Sequence, residues 1–144
     1  MKSKLLSERG DRTFVLVFDK GDEVMAELLA FIRTEKIVSA HFSALGAFND
    51  VKFGFFERER KDYKRINAGQ VEAMSLVGNV AATADGEPKI HAHVVVGKQD
   101  GTAHGGHLFE AHVWPTLEMI LIQMPESLVR KVDQETGLAL IDIG

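Results

Sequence analysis

Lys89–Leu117 reads KIHAHVVVGKQDGTAHGGHLFEAHVWPTL and carries five of the chain's six histidines and its only tryptophan. Side chains i and i+2 of a strand share a face. Ile90, Ala92, Val94 and Val96 therefore form one wholly apolar face. His91 and His93 lie on the other, about 6.5–7 Å apart along the strand. Asp100-Gly101 is a tight-turn pair, so the chain reverses there and resumes as a second strand. The apolar face is expected to pack under a helix, turning the two histidines away from the main core. The remaining elements read as a frame around this hairpin.

One helix stands out in that frame. Val24, Leu28 and Ile32, with Met25 and Leu29, recur at helical spacing over about residues 22–35, behind Asp22 as a candidate N-cap. Thr13 to Phe18 is apolar on both faces and predicts a strand covered on both sides. Ile37 to Phe56 reads as extended, with Gly46 to Asp50 interrupting it, a pattern that predicts a hairpin. Tyr63 to Ile66 is a short candidate strand. In the next strand Met74, Leu76, Val80 and Ala82 are assigned to one face. Thr116 to Met124 predicts a further strand, Glu126 to Val129 a helical turn, and Val132 to Ile143 a closing hairpin. Short connections favour antiparallel pairing, since a parallel crossover needs a dozen or more residues. The expectation is one α+β domain over residues 1–144, with a central, mostly antiparallel β-sheet and one main helix packed on it.

Composition narrows the function classes. The 144 residues are 45% hydrophobic and 26% charged, ordinary for a globular chain large enough to bury its own core. There is no cysteine. A metal site must therefore use histidine, carboxylate or backbone oxygen. A formal net charge of −4 argues against a delocalised phosphate-binding face, so direct nucleic-acid binding ranks last. The mixed-sign run from Glu57 to Asp62 reads as a solvated loop. No signal peptide, no membrane association and a cytoplasmic location are expected.

The histidines carry the chemistry. His91 and His93 can converge on one metal, and zinc takes imidazole nitrogen at about 2.0–2.1 Å. A third ligand is expected from His107, which follows Gly105-Gly106 where the returning strand comes back beside His93. His104 lies nearer the turn. His112 is read as a surface or interface residue, and His41 as a residue on the polar face of another strand with a minor claim to a pocket. Three histidines with an open position describe a catalytic-type rather than a closed structural site. Glu118 is the candidate to orient an imidazole or handle a proton, with Glu110 behind it. The competing reading, solvated strand histidines and exposed strand carboxylates, stays open at this point. No nucleophile elbow, Walker loop or dinucleotide fingerprint is present.

His91-Ala92-His93, Gly97, Asp100-Gly101, Gly105-Gly106-His107-Leu108, Val113, Thr116 and Glu118 together resemble the signature of the plant-and-prokaryote-conserved (PPC) domain. Val71 to Asn79, Ala44 to Phe48 and Gly54-Phe55 extend the resemblance over nearly the whole chain. It implies a compact α+β domain assembled as a homotrimer, here as a stand-alone prokaryotic-type member. It also implies a metal site, with zinc or another divalent transition metal, at His91, His93 and His107. Plant members place this domain after DNA-binding AT-hooks, whose Arg-Gly-Arg-Pro core this chain lacks. The leading expectation is a regulatory or small-ligand-binding protein that carries the metal. The alternative is a zinc-dependent hydrolase or lyase using a metal-bound water and Glu118.

Overall fold

The computed structural model describes residues 1–7 and 11–144. Their elements are β1 (Lys2–Ser7), β2 (Thr13–Phe18), α1 (Val24–Thr34), β3 (Ala40–Glu57), β4 (Asp62–Ala68) and β5 (Val71–Ala82), followed by β6 (Pro88–Gly97), β7 (Ala103–Gln123), β8 (Val129–Val132) and β9 (Ala139–Asp142). The strands form one sheet in the order β1-β2-β7-β3-β5-β8-β9, with β4 added to β3 and β6 paired to both β5 and β7. Pairing is antiparallel except for a parallel bridge between Ala82 of β5 and Val129 of β8. The fold is thus mostly strand with one helix, and the sheet is mostly antiparallel.

Two strands are longer than their sequence suggests. β3 runs unbroken through Gly46 to Asp50, where a hairpin turn is predicted. β7 likewise joins the histidine return strand to the segment from Thr116 in one 21-residue strand. The reason is that each is the other's continuous partner. Register shifts against the neighbouring strand absorb the irregular residues, as bulges do. Gly46 pairs with Leu117 and Phe48 with Val113, so Trp114-Pro115-Thr116 bulges opposite Ala47. A bulge is where a sheet accommodates a proline that cannot donate to the ladder.

α1 carries the predicted apolar stripe inward. Val24, Leu28, Phe31 and Ile32 are buried, and Phe31 meets the Phe14 ring edge-on at 5.2 Å. Full burial of a side chain such as Leu28 stabilises the fold by about 1.5–3 kcal/mol. The N-cap is Glu23 rather than Asp22: its carboxylate accepts from the backbone N–H of Met25 and Ala26 and from that of Ala111 on β7. Asp22 instead accepts from the Asp19 N–H. Met74 also departs from expectation. The register of β5 shifts between Ala73 and Ser75, which turns Met74 out to solvent. Glu126 to Leu128 form no helical turn, whereas β8 and β9 do make the closing hairpin.

The pairings of β3 with β5, β5 with β6, β6 with β7 and β7 with β3 close a circuit. Phe42, Phe53, Leu76, Ala92, Val94 and Leu108 are buried within one continuous core. Ala92 and Val94 face that core, so strand alternation presents His91 and His93 on the opposite side.

Candidate metal centre

The turn predicted at Asp100-Gly101 is present. The Lys98 N–H donates to Thr102 O and the Gly101 N–H to Lys98 O, each at 2.9 Å. Gly101 has φ +82°, a conformation open to glycine at little cost. The Asp100 carboxylate accepts from the Thr102 N–H and hydroxyl. This turn sets the register, and His93 and His107 become direct cross-strand partners. His107 also pairs with Gly54 of β3.

Gly105 and Gly106 contribute close approach, not unusual dihedrals. A Cβ on Gly106 would lie 2.4 Å from the Gly54 carbonyl oxygen, and one on Gly105 2.8 Å from that of Val94. Only glycine lets β7 fit between β6 and β3 here, and that fit delivers His107. Gly78 acts similarly beneath His91: a Cβ there would sit 2.3 Å from the Phe42 ring and 2.5 Å from the His91 carbonyl oxygen.

The three side chains converge. One nitrogen from each of His91, His93 and His107 lies within 4.8 Å of the others, and His91 Nε2 is 3.2 Å from His93 Nε2. Two zinc–nitrogen bonds at a tetrahedral angle put their nitrogens about 3.3 Å apart. The His107 ring stacks on Tyr63 at 4.8 Å and meets Phe109 at 5.0 Å. Burial, then the nearby His91 and His93, push the His107 imidazole down to about 4. Burial, then His93 and Arg130, lower His91. Both rings are therefore neutral near pH 7, the form that ligates. The His107 Nδ1 is buried with no hydrogen-bond partner. Among the described residues no carboxylate pairs with any of the three rings. A three-imidazole set with an orphaned buried nitrogen fits a divalent transition ion.

The other candidates lie elsewhere. His41 is exposed on β3, paired with Asn79 and Ile122. His104 is exposed near the turn. His112 Nδ1 is 2.9 Å from Asp50 Oδ1, and Glu110 binds the Lys52 ammonium through both oxygens. Glu118 pairs with Val17 and Leu45. It shares a sheet face with His93 through Leu45, Ser43 and Val77, but it is not one of the converging groups.

Residues 6–125 match the model of the Plants and Prokaryotes Conserved (PCC) domain. The chain belongs to this family. Three solved structures show how far the likeness extends. A plant- and prokaryote-conserved (PPC) protein from Pyrococcus horikoshii is 34% identical with a TM-score of 0.85, over 95% of this chain and 97% of that one. A metal-containing protein from Archaeoglobus fulgidus is 34% identical with a TM-score of 0.84, over 96% and 98%. A candidate DNA-binding protein from Ralstonia eutropha is 30% identical with a TM-score of 0.83, over 91% of each chain. No curated protein matches the chain significantly. Among the described residues of this PPC-family chain, no helix is long and apolar enough to cross a membrane.

Three residues beside the triad escape a reading of the sequence. Tyr63, Lys89 and Arg130 line a cavity together with His91 and His107. Lys89 had an available signal, since it shares the alternating face of His91 and His93. Arg130 had none, because the return of β8 past the end of β5 brings it there.

Proposed function

We propose that this PPC-family chain holds a divalent transition metal, zinc foremost, on His91, His93 and His107, and that it binds a small ligand in a regulatory or carrier role. The observation that carries the reading is the convergence of three imidazoles, two of them at 3.2 Å between Nε2 atoms, with no carboxylate paired to them among the described residues. The metal content of the Archaeoglobus fulgidus relative supports it. A bound ion would supply a Lewis-acidic point toward an oxygen-bearing ligand. The protein's own residues orient the rings through Tyr63, Phe109 and the glycine-enforced packing of β7.

Self-association as a homotrimer is part of the same proposal. The sheet face bearing His93 also exposes Leu45, Met74, Val77, Val95 and Ile120, an apolar surface suited to further copies of this chain. The binding role is placed ahead of the hydrolase or lyase reading. Glu118 stands outside the converging set of histidines. Direct DNA binding is placed last, on the acidic net charge.

Elemental analysis of the purified protein is the test, with an H91A/H93A double variant beside it. Near-stoichiometric metal in the wild type and none in the variant is expected; equal, negligible metal in both refutes the reading. Sedimentation is expected to give three times the 15.9 kDa chain mass, and a stable monomer would contradict the trimer.

A further inference from the structure

Arg130 is 5% exposed and has no acidic partner among the described residues. One terminal nitrogen donates to the Ala139 carbonyl oxygen at 3.0 Å and the other to Asn79 Oδ1. Its Nε is buried without a hydrogen-bond partner. None of the ion pairs among the described residues includes Arg130 or the nearby Lys89. A buried cation left unpaired is costly unless something anionic compensates it. Both cations line a cavity of about 180 Å³ that also reaches His91 and His107 and has no carboxylate in its wall. In a chain of net charge −4, this is a local concentration of positive charge, which a divalent ion on the histidines would increase.

We infer that this cavity is an anion pocket for a small carboxylate, with Arg130 and Lys89 as the residues that select its charge. The inference names the ligand class of the small-ligand site proposed above and rests on that reading. A cavity of about 180 Å³ suits a short acid. The wall decides the class. Leu138 and Leu140 are part of it, apolar surface that a carbon skeleton covers and inorganic phosphate does not. Guanidinium suits a carboxylate because its planar donors match the two oxygens. Asn79 holds the guanidinium from β5, directly across from His91 on β6, so the charge-selecting end and the histidine end are built on neighbouring strands.

The probes are propionate, malonate and inorganic phosphate, titrated calorimetrically into zinc-loaded and chelator-treated wild type. R130Q and K89E are titrated alongside, with metal content measured on every sample. Propionate or malonate should bind wild type at least tenfold more tightly than phosphate. R130Q should weaken carboxylate binding tenfold or more with metal content unchanged. K89E changes only an exposed rim residue and keeps the test valid if R130Q fails to fold; it should weaken binding severalfold. Zinc-loaded wild type that binds no carboxylate, or equal binding by wild type and K89E, overturns the inference. So does phosphate binding as tightly as the carboxylates. Wild type that takes up no zinc defeats the metal reading instead, and carboxylate binding to that metal-free protein would uphold the pocket through Arg130 and Lys89 alone.

Discussion

Among the described residues, two clusters bring ligand-type atoms within 4.8 Å of one another: His91, His93 and His107, and Asp50, Glu110 and His112. Proximity is the same in both; satisfaction is not. In the second, the His112 imidazole is held by Asp50, and Lys52 closes on Glu110 from 2.8–2.9 Å. Its charges already have partners at the surface. In the first, three imidazoles face one another with a buried nitrogen unpaired, and two cations without an ion pair among the described residues line the adjoining cavity. A group of potential ligands becomes a candidate site when its members lack protein partners, because an unmet buried polar group is what a ligand stabilises.

The largest expected effect breaks this contrast outright. H91A/H93A should abolish metal binding, whereas D50A/H112A should leave metal stoichiometry unchanged by elemental analysis. If the second pair also removes metal, the distinction between the clusters is wrong. A smaller effect tests how the first cluster is assembled. G106A puts a methyl group 2.4 Å from the Gly54 carbonyl oxygen, and overpacking of this kind costs about 1–3 kcal/mol. Chemical denaturation should show that loss, and zinc affinity should fall with it as His107 shifts; G69A, where nothing crowds the added Cβ, should change zinc affinity less than twofold.

Acid should also separate the clusters. His107 sits near 4 in the folded protein against its ordinary 6.5, so between those values the unfolded chain binds more protons. Stability of the metal-free protein therefore rises with pH across that window and is lost as pH falls from 6.5 toward 4. Denaturant midpoints should show this slope, and H107Q should flatten it. The smallest effect belongs to the second cluster. K52M removes a half-exposed pair with Glu110 and should cost less than about 1 kcal/mol. A larger loss by the same denaturation measurement would show that the cluster is structural rather than a solvated ion pair.

Much of this was legible before any coordinates. Strand alternation separates Ala92 and Val94 from His91 and His93. The Asp100-Gly101 turn chemistry sets a register that returns His107 beside His93. The helical stripe of Val24, Leu28 and Ile32 marks the one helix. Each is a short-range signal, carried by residues within one or two elements. The sequence reading failed where a long-range partner overrode a local cue. Gly46 to Asp50 looked like a turn because glycine, asparagine and aspartate favour turns, yet the continuous pairing of β3 with β7 converts them into bulges. Strict alternation puts Met74 on one face with Leu76, Val80 and Ala82, but the register shift between Ala73 and Ser75 turns it out to solvent.

Sequence alone determined the histidine hairpin, since alternation and a short glycine turn are properties of consecutive residues. Tertiary structure decided the rest of the site. Gly105 and Gly106 have meaning only against the carbonyl oxygens of Val94 and Gly54, which lie on two other strands. Arg130 reaches the cavity only because β8 returns past β5. Whether a histidine has a partner, or a cation lacks one, depends on neighbours far away in the chain, and no local pattern encodes that.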